Sequence, residues 1–168
     1  VLFLPTLMGE RTPYWDENTR GCLLGFTLYH NRRHVARAVY EGIAFALNSC
    51  YQIMQELDGR QHSITLAGGG ARSGLWPNIL ASVFGTQTRV HSAPGECTSL
   101  GAAIAAGVGV GLFEDYAQGA KMARTRSTHE PNEAWMEKYR EIYPIYARMY
   151  AQLKPLYGEI AALRQSDG

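Results

Sequence analysis

The chain has 168 residues, enough to bury one good core and, on domain-size grounds, to form one domain in preference to two. Hydrophobic residues at 46% and charged residues at 18% give the balance of a folded globular protein and exclude a disordered one. Its 16 basic and 15 acidic side chains leave a net charge of +1, so charge offers no case for nucleic acid or a membrane surface and points to a small-molecule partner.

The N-terminal Val1-Leu2-Phe3-Leu4-Pro5 has no initiator Met, no basic n-region and no long apolar run, so it does not read as a signal peptide. Val1 reads instead as a cut within a longer protein. Leu2 to Leu4 predicts a short strand stopped by Pro5, and the polar loop from Gly9 to Asn18 follows, long enough to be a candidate for function. From Arg33 to Leu57 apolar residues recur at three- and four-residue spacing (Val35, Val39, Ile43, Ala46, Leu47, Cys50, Ile53, Met54, Leu57), which predicts a helix stopped at Asp58-Gly59. Ser63 to Ala67 predicts a strand running into Gly68-Gly69-Gly70, and Leu75 to Phe84 a helix with Ser73 as N-cap and Pro77 in the tolerant first turn. Gln87 to His91 reads as another strand. Thr98 or Ser99 opens a helix of small residues through Ala106, able to pack very close to a sheet, and Phe113 to Ala123 holds a further short helix. Arg124 to Asn132 reads as a polar connection. Glu133 to Leu163 reads as helix, kinked or broken at Pro144 and Pro155. Strands alternating with helices imply an α/β layer structure. Cys22, Cys50 and Cys97 are odd in number and lack a CxxC pair, which argues for a reducing compartment and against a disulfide framework or a zinc site. Ala102 to Leu112 is too short and too rich in glycine to span a bilayer.

Gly68-Gly69-Gly70-Ala71-Arg72-Ser73 is the most informative stretch. Glycines between a strand and a helix let backbone approach a ligand and aim N–H groups at phosphate; on spacing alone the same residues read equally as a tight turn. GxxxxGK[ST] is absent, and no GxGxxG follows a strand, which excludes a P-loop NTPase and a dinucleotide-binding Rossmann domain. Elsewhere, Asp16 reads as a turn former or cap and Glu41 as a structural hydrogen-bond acceptor within a helix. His30 and His34 are four residues apart as metal ligands can be, but lack a third ligand and read as surface or capping residues, so no metal site is assigned. Tyr139, Tyr143, Tyr146, Tyr150 and Tyr157 partly follow helical spacing and read as packing.

Four motifs in order carry a family resemblance. Gly21-Cys22-Leu23-Leu24-Gly25-Phe26-Thr27, followed by His34-Val35 and Ala38-Val39-Tyr40-Glu41, resembles the second signature of the FGGY carbohydrate kinases; Phe26 departs, standing where the family has a smaller aliphatic residue. Phe3-Leu4-Pro5 with Gly9-Glu10-Arg11-Thr12-Pro13 and Asp16 resembles xylulokinases in particular. Gly68 to Ser73 with Trp76 is similar to the family's adenosine motif, and Leu100-Gly101-Ala102-Ala103 to its small-residue helix. The resemblance covers about Phe3 to Gly111. It implies the C-terminal, ATP-binding lobe of a ribonuclease-H-like, actin-like ATPase fold: α/β, a mixed sheet with flanking helices, spanning residues 1–168. It further implies ATP with Mg²⁺ as cofactors, a sugar or polyol as substrate, with xylulose favoured over gluconate, ribulose or glycerol, and a cytoplasmic location. Gly69, Gly70 and Ala71 are expected along the adenosine and α-phosphate, with Arg72, Ser73 and Gly74 beginning the helix beside them. The family's general-base Asp and Thr-bearing phosphate loop precede the region covered, so no catalytic residue is assigned here. The N-terminal lobe of the same protein is an expected partner, and the chain alone is expected to be inactive. A nucleotide-binding module without kinase activity is the rival reading, and dimer contacts through the long tail are a third.

Overall fold

The computed structural model describes residues 1–59 and 63–166. Length alone favours one core, but the chain divides into two compact units, Val1–Gln61 with Glu133–Gly168, and His62–Asn132. Each unit buries its own apolar cluster.

In the first unit, β1 (Leu2–Leu4) pairs antiparallel with β2 (Cys22–Leu24), Phe3 facing Leu23. β2 was not predicted as a strand: three residues between Gly21 and Gly25 are too few for a two-residue period to show. α1 (Arg32–Asp58) is one residue longer at each end than its periodicity predicts. Its start is a reciprocal capping box, with Asn31 Oδ1 accepting from the Arg33 amide at 3.0 Å and His34 Nδ1 accepting from the Asn31 amide at 3.1 Å. Gly59, at φ 66°, ends it in the left-handed conformation that a Cβ would disfavour. Leu4 and, from α1, Ala38, Ala44, Phe45 and Tyr51 are buried.

α5 (Glu133–Ser166) is not broken at Pro144 or Pro155, the two positions where a kink or break is predicted. An interior proline costs about 3 kcal/mol, and buried aromatic side chains of roughly 1.5–3 kcal/mol each flank both positions and offset that cost. Tyr139 and Tyr146 bracket Pro144, Tyr150 and Tyr157 bracket Pro155, and all four are buried. Phe45 of α1 meets the Tyr139, Tyr143 and Tyr146 rings at centroid distances of 5.6, 5.9 and 5.2 Å, so the tyrosine series serves packing, as its spacing suggests.

In the second unit, β3 (Ile64–Leu66) lies parallel to β4 (Thr88–His91), and β5 (Thr125–His129) lies antiparallel to β4, giving a mixed sheet of order β3-β4-β5. α2 (Trp76–Phe84) forms the crossover between the parallel strands. Its Ile79, Leu80 and Ala81 are buried. β5 corrects the reading of 124–132 as a plain connection: it is an edge strand, where a polar sequence suffices because pairing is through the backbone. α3 (Cys97–Gly109) begins slightly before the predicted start. Gly101, Ala102, Ala103, Ala105 and Ala106 are exposed, so the close sheet packing that small residues permit is not used. The close partner of α3 is instead α4 (Tyr116–Ala120), where a Cβ on Gly119 would lie 2.4 Å from Ile104 Cγ2. Among the described residues no helix is long and apolar enough to cross a membrane.

Candidate functional site

Two loops meet at the carboxyl ends of the parallel strands β3 and β4, the position where open α/β sheets hold ligands. The first leaves β3 at Gly68, whose φ of 78° is a left-handed-side value suited to glycine. Gly69–Arg72 then form a 3₁₀ turn, closed by the Ser73 amide donating to the Gly70 carbonyl at 3.1 Å. The amides of Gly69 and Gly70 open this turn and so have no carbonyl partner within it. Gly69, Gly70, Arg72 and Gly74 are exposed while Ala71 is buried, its methyl anchoring the turn from beneath. A side chain on Gly69 or Gly74 would meet nothing within 4 Å, whereas a Cβ on Gly70 would sit 3.1 Å from Trp76 Nε1. Trp76 thus lies along the inner side of the turn.

All six residues expected to face nucleotide, Gly69 to Gly74, form one continuous segment here. One detail differs: Arg72, Ser73 and Gly74 do not begin the helix, which starts at Trp76. Ser73 is not the N-cap either, a position held by Leu75 without a side-chain cap, but its Oγ accepts from the Leu75 and Trp76 amides at 3.3 Å each and so serves the helix entry. Arg72 closes the 3₁₀ turn, and Ser73 and Gly74 link that turn to α2.

The second loop follows β4 and was not singled out by sequence reasoning, although Pro94-Gly95 after a strand is a turn signal. The buried Pro94 accepts from the Gly68 amide through its carbonyl at 2.6 Å, tying the two loops together. Arg72 lies over Gly95, where an added Cβ would be 2.7 Å from Arg72 Nη2. A guanidinium therefore stands beside the exposed glycine backbone. Small residues, exposed main chain and a nearby cation fit an adenosine and its α-phosphate. Among the described residues no three His, Cys, Asp or Glu side chains gather as a metal site would require, so no residue of this chain is assigned to Mg²⁺.

The remaining polar candidates lie in the first unit and have structural partners. Asp16 Oδ1 accepts from the Asn18 amide at 2.9 Å and Oδ2 from the Tyr150 hydroxyl at 2.8 Å. Burial pushes the Asp16 carboxyl up, but these hydrogen bonds together outweigh it and hold the group below its ordinary range. Tyr150 is pushed up to about 12 by burial and by Asp16, and its ring stacks on Tyr14 at 3.9 Å. Glu41 accepts from Arg37 Nε at 2.6 Å and from the Tyr139 hydroxyl at 2.8 Å. Burial first, then the Glu41 charge, raises Tyr139 far above an ordinary phenol. His30 and His34 each accept a backbone N–H through Nδ1, from Thr27 and Asn31, which makes them capping groups.

The model of the FGGY family of carbohydrate kinases, C-terminal domain, matches residues 1–110. The chain belongs to the FGGY family of carbohydrate kinases. It is 32% identical over 168 residues to the xylulose kinase of Bacillus subtilis (strain 168), covering 99% of this chain and 33% of that protein. To the gluconokinase of Bacillus licheniformis it is 30% identical over 167 residues, covering 99% and 32%. Among solved structures, the ligand-bound xylulose kinase from Lactobacillus acidophilus superposes with a TM-score of 0.82 at 29% identity, over 95% of this chain and 32% of that one. The chain thus spans about a third of the length of the FGGY relatives it matches. The α/β class, the mixed sheet and the flanking helices are those expected from the resemblance.

Proposed function

We propose that this chain is the nucleotide-gripping part of an ATP-dependent sugar kinase acting in the cytoplasm, with D-xylulose as the favoured substrate. The observation that carries this reading is the Gly68–Gly74 segment: Gly68, Gly69, Gly70 and Gly74 are exposed, a Cβ on Gly68, Gly69 or Gly74 would meet nothing within 4 Å, the Gly68 amide is pinned to Pro94, and the segment carries the guanidinium of Arg72. When bound, ATP supplies the γ-phosphoryl group and Mg²⁺ offsets the phosphate charge. The amides of Gly69 and Gly70 take up nucleotide oxygens, the missing side chains at 69 and 74 leave room for adenosine, and Arg72 adds a fixed positive charge. Phosphoryl transfer of this kind depends chiefly on positioning and charge stabilisation. The carboxylate that accepts the sugar hydroxyl proton, and most groups that read the sugar, come from an N-terminal lobe of the same protein. Gluconate is the second reading, supported by the gluconokinase among the relatives.

Calorimetric titration of the chain with MgADP tests this. Weak, saturable binding with a Kd on the order of 1 mM, about 4 kcal/mol, together with no turnover of D-xylulose, gluconate, ribulose or glycerol under MgATP, is the expected result. Binding tighter than about 1 μM would favour the stand-alone nucleotide module. No binding at all would remove the reading.

A further inference from the structure

Beyond the family's motifs, the far edge of the second sheet is wired to the glycine loop. Asn78, in the first turn of α2, donates from Nδ2 to the Gly74 carbonyl at 2.9 Å. Its Oδ1 therefore faces His129 Nδ1, 3.0 Å away on β5, and an acceptor there requires the imidazole to present Nδ1–H. The other ring nitrogen, Nε2, is then an acceptor and lies 3.0 Å from Ser127 Oγ, whose hydroxyl donates to it. Ser127 and His129 are two apart on one strand and so share a face. Every donor in the series Ser127, His129, Asn78, Gly74 thereby has one acceptor, and only one tautomer satisfies all three contacts.

The same helix turn is tied down independently. Thr88 of β4 donates from Oγ1 to the Pro77 carbonyl at 3.0 Å. Ser82 Oγ accepts from the Asn132 amide at 3.0 Å and donates to the Asn78 carbonyl at 2.8 Å. Movement of this turn would reach the loop by two routes, through the Gly74 carbonyl and through Trp76, which lies against Gly70. β5 itself begins at Thr125, past residue 110 where the family match ends.

The geometry points to Ser127, His129 and Asn78 as positioning residues that set the conformation of Gly70–Trp76 for nucleotide. The part concerning nucleotide rests on the function proposed above; the part concerning loop conformation does not. None of the three touches the reacting atoms. They act through the loop, and Ser127 contributes by holding the imidazole orientation.

The experiment is ¹⁵N-edited NMR of the whole chain, with and without MgADP, on the wild type, His129→Leu and His129→Asn. Leu keeps bulk without polarity, while Asn places an amide where Nδ1 stood. His129→Leu is expected to shift the amide signals of Gly70, Gly74, Leu75 and Trp76 in the free protein and to weaken MgADP three- to tenfold; His129→Asn is expected to restore both towards wild type. Should His129→Leu not fold, Asn78→Ala removes the same contact to Gly74 from the other side and must move the same signals. Shifts confined to β4 and β5, with residues 70–76 unmoved, overturn the inference, as does weakened MgADP binding that His129→Asn leaves unrepaired. If the wild type binds no MgADP, the nucleotide reading fails, and the free-protein shifts still decide whether the relay sets the loop.

Discussion

Replacing Gly42 by alanine adds a single methyl where α1 crosses β1, and the structure makes the outcome calculable. A Cβ at that position would lie 2.1 Å from the Phe3 carbonyl oxygen, 3.0 Å from its carbon and 3.1 Å from its Cβ. Two of these are backbone atoms, so no rotamer change relieves the overlap. Ordinary contact begins near 3.4 Å, which requires α1 to retreat from β1 by about 1 Å. That separates Leu4, Ala38 and Phe45, which are 3%, 3% and 1% exposed. Overpacking of this sort costs roughly 1–3 kcal/mol, and more when backbone must yield. Alanine's better helix propensity returns about 1 kcal/mol. The expected net loss is about 2 kcal/mol, close to a thirtyfold change in the folding equilibrium and about 4–8 °C in Tm. Urea unfolding followed by circular dichroism, with an unchanged m-value, measures it. Gly101→Ala is the control: it sits on exposed helix with nothing within 4 Å, and should raise stability by about 0.5–1 kcal/mol. A Gly42→Ala protein as stable as wild type would show that the α1–β1 approach at Phe3 does not limit stability.

Tyr139→Phe deletes the hydroxyl that donates to Glu41 and accepts from Arg37, and should cost about 1–2 kcal/mol in the same urea measurement; no loss would show that the network is incidental. Asp16 is held below its ordinary range, so it favours folding above the unfolded value of about 3.9 and loses that contribution as pH falls through the folded one. Melting curves below about pH 4 should therefore drop less steeply for Asp16→Asn than for wild type. Tyr150, pushed up to about 12, favours folding below the ordinary phenol value of about 10 and loses that contribution between there and about 12; Tyr150→Phe should flatten this alkaline limb.

The long elements were legible because their signals are local and repeated. α1 announced itself by nine apolar residues at helical spacing and a Gly stop, and β3 running into three glycines located the loop. What failed was decided at a distance. β2 is too short for its pattern to rise above noise, and β5 is polar because an edge strand needs only its backbone to pair. The prolines of α5 did not break it, since buried tyrosines on either side of each hold the helix against its neighbours. The small residues of α3 permit close packing on a sheet without naming the partner, and here the partner is α4. The polar candidates fared well under plain chemistry: Asp16, Glu41, His30 and His34 all have capping or structural partners. The Gly68–Pro94 and Asn78–His129 contacts could not be found from sequence, because they join residues 26 and 51 positions apart.

The most direct measurement is a chemical-shift titration of the ¹⁵N-labelled chain with a non-hydrolysable ATP analogue and Mg²⁺. Saturable shifts centred on the amides of Gly68 to Gly74 are expected, with Gly69 and Gly70 moving most. Shifts that leave these seven residues untouched, or that gather elsewhere on the chain, would contradict nucleotide binding at this loop.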